Sequence, residues 1–108
     1  MELLTRSEEL LLLTVWNLQE EAYGAAIREL LSVRTGYEWA IGSVYGPLDR
    51  LAKQGLLTTH TGLPTPERGG RSKRCYRLTP KGVGALGHTR HVVEAFWQDA
   101  RNAAIPIP

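Results

Sequence analysis

Five cations stand between residues 68 and 77 of this chain, Arg68, Arg71, Lys73, Arg74 and Arg77, with no acid among them. Their chemistry is phosphate chemistry: a row of guanidinium and ammonium groups neutralises a polyanionic backbone and releases its counterions. Gly69-Gly70 lets the chain reverse and bring its backbone close to another surface, so Gly70 joins the contact candidates. Arg77 lies deeper in the segment and reads as structural. Thr79-Pro80 follows as a helix N-cap with proline at the first helical position. A basic hairpin tip leaning on a helical body is the physical form of a DNA-binding wing.

A second set lies upstream in Ser43, Tyr45, Arg50 and Lys53. Ser43 with the amides at the start of a helix can hold a phosphate. The Tyr45 hydroxyl can do the same while its ring packs inward. Arg50 can contact DNA or pair with Asp49, and Lys53 is placed to neutralise a phosphate. Tyr23 and Trp39 read as packing residues. Cys75, the one cysteine, excludes an internal disulfide and reads as a buried thiol. His60, His88 and His91 lack neighbouring ligands and make no metal set.

These residues need elements to position them. Thr5 and Glu8 fit a capping box, and Leu10, Leu11, Leu13, Val15, Trp16 and Leu18 follow in a helix ending near residue 19. A second helix is expected over about residues 22–33, with Tyr23-Gly24 in its first turn. A short extended link at 37–41 leads to a third helix. Val44, Leu48 and Leu51 share one face there, and Pro47 puts its start at Ser43 or Val44. Residues 56–61 form a strand, 62–71 a loop, and 73–78 a return strand with Arg74, Tyr76 and Leu78 on one side. A last helix of roughly 35 Å runs from residue 80 to about 103. Leu86, Val93 and Ala100 recur at sevens along it, with Phe96 and Trp97 beside them. So long a helix has little core of its own to cover, and these five residues predict a seam with a partner helix.

The predicted fold class is mostly α with a small β-hairpin: a winged helix-turn-helix plus a long C-terminal dimerisation helix. Residues 1–79 form the DNA-binding domain, 80–104 the dimerisation helix and 105–108 a flexible tail. At 108 residues the chain suits one domain, and an apolar fraction of 43% is globular. No apolar run approaches the ~20 residues of a membrane span, so a cytoplasmic protein without membrane contact is expected. The net charge of +2 conceals a division: residues 1–40 carry seven acids against three bases, and residues 41–108 ten bases against four acids. The second part attracts a polyanion.

The order and spacing of several short pieces resemble the PadR-like transcriptional regulators over roughly residues 5–98. The pieces are Leu11-Leu12-Leu13, Tyr23-Gly24, Gly42-Ser43-Val44-Tyr45, Leu48-Asp49-Arg50-Leu51, Gly55-Leu56 and the block from Gly69 to Gly82. Cys75 stands where members often carry a second aromatic. The short C-terminal part resembles the compact subgroup with one dimerisation helix. The resemblance implies a homodimeric repressor that reads a pseudo-palindromic operator in double-stranded DNA, its third helix in the major groove. Some compact members bind a planar aromatic or phenolic inducer at the dimer interface; by that resemblance Trp97, with Phe96 and Trp16 nearby, either stacks on such an inducer or packs as dimer core.

No cofactor is expected. An enzyme would need a nucleophile–base pair, a phosphate loop or a metal cluster, and the sequence offers none. The alternative to a DNA-binding regulator is a winged-helix module for protein–protein or RNA binding, which competition between duplex DNA and RNA discriminates.

Overall fold

A computed structural model of the protein describes residues 2–62 and 73–103. Four helices and a two-stranded antiparallel hairpin follow the order α1 (Arg6–Leu18), a 3-10 turn (Gln19–Glu21), α2 (Gly24–Thr35), α3 (Gly42–Lys53), β1 (Leu57–Thr61), β2 (Arg74–Leu78) and α4 (Pro80–Asn102).

Local chemistry sets most of these limits. The Thr5 hydroxyl accepts from the Glu8 amide at 3.1 Å and the Glu8 carboxylate accepts from the Thr5 amide at 2.8 Å, which closes the capping box of α1. Thr79 caps α4 by accepting from the Gly82 amide at 3.0 Å. The same hydroxyl donates to the Gly55 carbonyl at 2.6 Å and ties α4 to the end of α3. Helix α3 starts one or two residues earlier than Pro47 suggested, so proline is its sixth residue. The amide that Pro47 lacks leaves the Ser43 carbonyl without its helical donor, and Ser43 is exposed, so water can serve it.

The core gathers Leu11, Leu12 and Val15 of α1, Ile27 and Leu31 of α2, Val44, Leu48 and Leu51 of α3, Leu57, Tyr76 and, from α4, Ala85 and Leu86. Trp39 joins it from the link. Its indole N–H donates to Thr35 Oγ1 at 2.9 Å, and its carbonyl accepts from Arg28 Nε at 2.5 Å. In the hairpin Leu57 faces Leu78 and Thr61 faces Arg74. The Tyr76 amide donates to the Ala22 carbonyl at 2.8 Å, and Tyr23 bridges to Cys75. Residues 22–23 thus cover the open edge of β2. That is why Cys75 is buried as well as Tyr76, where alternation had put only Arg74, Tyr76 and Leu78 on one side.

At Gly82 a Cβ would run into the Leu56 carbonyl oxygen, a backbone approach that requires glycine; at Gly24 it would run into the Tyr45 ring, and at Gly62 into the Cys75 sulfur. Gln19 stands at φ 51° and ψ −120°, a conformation that L-residues rarely adopt, where α1 gives way to the 3-10 turn.

Helix α4 divides into two parts. Gly82, Ala85, Leu86 and Thr89 are buried on the body, whereas every residue from 94 to 103 is exposed. The first turns of α4 therefore belong to the core of the preceding elements, and residue 79 is not a boundary of packing. The molecule measures 60 Å in its longest direction because the second half of α4 runs clear.

Candidate nucleic-acid interface

The outward face of α3 presents Gly42, Ser43, Gly46, Asp49, Arg50 and Lys53, opposite the buried Val44, Leu48 and Leu51. Ser43, Arg50 and Lys53 are exposed, and neither cation has an acid partner among the described residues. The Arg50 guanidinium lies along the helix surface over Gly46, 3.7 Å from where a Cβ would stand. The amides at the start of α3 differ from expectation. Ile41 is already helical, so Ser43 N–H donates to the Ala40 carbonyl, and the amides of Val44 and Tyr45 donate to that of Ile41. These donors are used internally, which leaves the Ser43 hydroxyl as its free polar group for a phosphate. Tyr45 combines its two readings: its ring lies against Gly24 at the start of α2 and remains partly exposed.

The hairpin strands bring a second group alongside. Lys73 Nζ lies 3.8 Å from the centroid of the Tyr23 ring. Arg74 approaches Asp49 of α3 at 3.6 Å and stacks over the Tyr76 ring at 5.8 Å. The Tyr76 hydroxyl donates to the same Asp49 oxygen at 3.4 Å. Burial pushes the Tyr76 hydroxyl above its ordinary pKa, so it is a proton donor at neutral pH. Arg77 is exposed rather than deep, and it pairs with Glu20 at 3.4 Å. Burial, with Glu21 next, pushes the Cys75 thiol up, which favours its neutral form. Arg68, Gly70 and Arg71, and the tail 105–108, lie outside the described residues.

Sequence spacing missed the role of Asp49, because its partners Arg74 and Tyr76 stand more than two dozen residues away. It missed the Lys73–Tyr23 contact for the same reason.

The candidate seam on α4 is shorter than its heptad spacing implied. Leu86 is 5% exposed and packs within the core, since the first half of the helix lies on the body. Val93, Phe96, Trp97 and Ala100 line a shallow apolar depression further along, with Phe96 70% and Trp97 50% exposed. All of them continue the stripe that Gly82, Ala85, Leu86 and Thr89 begin. Trp16 stands beside Val83, about 20 Å along α4 from Trp97, so the two rings of one protomer do not share a site.

Three helices, a hairpin whose cations flank the third, and a helix returning across the body define a winged helix-turn-helix protein. The chain belongs to the PadR-like family of transcriptional regulators, whose sequence pattern matches residues 12–88. It is 38% identical over 74 residues to the transcriptional regulator Rv3488 of Mycobacterium tuberculosis; these cover 68% of this chain and 64% of that relative's length. A PadR family regulator from Eggerthella lenta superimposes with a TM-score of 0.60 at 29% identity, over 86% of this chain and 75% of that one. A transcriptional regulator from Clostridium thermocellum shares the fold, with a TM-score of 0.70 at 20% identity over 92% and 90% of the chains. Among the described residues no helix is long and apolar enough to cross a membrane.

Proposed function

We propose that this protein is a sequence-specific DNA-binding regulator, a homodimeric repressor acting in the cytoplasm. The observation that carries the reading is the face of α3, where Arg50 and Lys53 stand exposed without an acid partner among the described residues, beside a hairpin rooted in Lys73 and Arg74. Gly42 and Gly46 let the helix backbone approach a groove closely. In this reading Arg50 reaches base edges. Ser43, Tyr45 and Lys53 contact the flanking phosphates, and Arg68, Gly70, Arg71 and Lys73 extend along the adjacent backbone.

Residues 1–79 with the first turns of α4 form the reading head, and the rest of 80–104 forms the dimerisation helix. The apolar stripe of α4 continues past the body through Val93, Phe96, Trp97 and Ala100, and a second copy covers it. Leu13 and Trp16, one turn apart and exposed on α1, add to the apolar surface available to that copy. Twofold symmetry then sets two α3 helices on the half-sites of a pseudo-palindrome. A planar aromatic or phenolic inducer would stack on Trp97, with Phe96, in the same seam.

Fluorescence anisotropy tests the reading, with labelled duplex from the region upstream of the coding sequence, scrambled duplex and single-stranded RNA at two salt concentrations. Salt-sensitive binding that prefers the upstream duplex supports a DNA-reading regulator. Preference for RNA over both duplexes would replace it with the RNA-binding module.

A further inference from the structure

A carboxylate stands in the middle of the surface that is to meet a polyanion. Asp49 lies on the outward face of α3 between Gly46 and Lys53, with Arg50 beside it. An uncommitted negative charge there repels phosphates, so its place needs a partner that offsets it. The partners are on the hairpin. Arg74 approaches one Asp49 oxygen at 3.6 Å and the Tyr76 hydroxyl donates to the same oxygen at 3.4 Å. These partners differ in burial: Tyr76 is 2% exposed and fixed in the core, whereas the Arg74 side chain is 62% exposed. The carboxylate thus links a buried hydroxyl to an exposed cation, and the cation lies back over the same tyrosine ring.

We propose that Asp49 is a positioning residue for sequence discrimination: it holds the root of the hairpin against α3 and withdraws Arg74 from phosphate neutralisation. This rests on the DNA-binding reading above. The physical gain is in selectivity. A cation free to neutralise any phosphate adds equally to every sequence, whereas base contacts depend on how rigidly the helix is set in the groove. Pairing Arg74 with Asp49 lowers the sequence-independent part of binding. It also joins hairpin and helix into one surface with a fixed angle between them. Arg50 and Lys53 keep their charge for the duplex, so of the cations around α3 it is Arg74 that orients.

The test uses the full chain with Asp49→Asn, Arg74→Gln and the double substitution. Each is titrated against upstream and scrambled duplex over a salt series, with thermal melts to confirm folding. Arg74→Gln is expected to weaken binding to both duplexes, because Asp49 loses the charge that offsets it, and to lower the preference for the upstream duplex, because the hairpin root loses its tie to α3. Asp49→Asn is expected to release it: affinity for scrambled duplex rises about three- to tenfold, the slope of log K against log salt steepens by about one, and the preference for the upstream duplex falls. In the double variant the steepening is expected to vanish. Weaker binding of Arg74→Gln to both duplexes with an unchanged preference for the upstream one would show that Arg74 is an ordinary phosphate contact, and this outcome does not require Asp49→Asn to fold. Steepening that persists in the double variant, or loss of affinity for the upstream duplex alone in both backgrounds, would also overturn the proposal; the latter would make Asp49 a base reader. Wild-type protein that binds neither duplex overturns the DNA reading itself and this inference with it.

Discussion

Truncating Phe96 to alanine is expected to take the proposed dimer apart while leaving the protomer folded. An aromatic side chain carries roughly 200 Å² of surface, and Phe96 keeps 70% of its own exposed in the protomer. Covering that ~140 Å² at about 25 cal/mol per Å² is worth about 3.5 kcal/mol at most, and alanine retains a part of it. A loss of roughly 2.5 kcal/mol per protomer counts twice across a twofold axis, so the dissociation constant rises about a thousandfold or more. Leu86→Ala is the control on the same stripe. It opens a cavity in the protomer core and is expected to remove about 2–5 kcal/mol of folding stability. Sedimentation equilibrium over a dilution series reads the dissociation, and melting temperature against concentration reads its coupling to folding. The wild-type midpoint rises with concentration, and that of Phe96→Ala does not. A Phe96→Ala protein with the wild-type dissociation curve would refute the argument, because the stripe would then face no partner.

The remaining predictions concern stability. Gly82→Ala drives a Cβ into the Leu56 carbonyl, a backbone group that cannot turn aside, and is expected to destabilise by about 1–3 kcal/mol in urea unfolding. Gln19→Gly relieves a conformation that costs a non-glycine residue about 1–3 kcal/mol; glycine's greater unfolded-state entropy offsets part of this, so the urea midpoint should rise. The folded state holds the protons of Cys75 and Tyr76 more tightly than the unfolded state, since both pKa values lie above their ordinary 9.0 and 10.0. Their contribution is complete below pH 9 and is lost as pH rises through the folded-state values, so melts between pH 8 and 11 should show falling stability, less steeply in Cys75→Ala.

What the sequence made legible was local. The Thr5–Glu8 box and the Thr79-Pro80 start are written in adjacent residues, and both stand where they were read. The order of elements followed from the change between helical and alternating apolar spacing. Pro47 marks the start of α3 too late, because a proline is tolerated further into a helix when the carbonyl it leaves without a donor belongs to an exposed residue such as Ser43. Leu86 was assigned to the seam because heptad spacing marks which face of a helix is apolar, and says nothing of which half the body already covers. The pairings of Asp49 with Arg74 and of Lys73 with Tyr23 left no periodic trace at all. They are made by the fold's bringing β2 beside α3 and the start of α2.

Helix α4 also has a mechanical meaning. It is anchored at its first residue, where the Thr79 hydroxyl holds the Gly55 carbonyl and the Thr79 amide donates to that of Leu56, and its far end reaches about 35 Å away. In the dimer proposed above it would act as a lever, with the seam as its fulcrum and the head built around α3 at its moving end. With the seam near Trp97, about 26 Å along the helix from its start, a change of about 10° there would swing the head of one protomer through about 4.5 Å relative to its partner, more than the ~3.4 Å between successive base pairs. On the proposed reading, a small molecule wedged beside Trp97 would have no need to touch α3 to spoil its register. Tilting one rod of that dimer against the other by a few degrees would move the two heads out of phase with the half-sites.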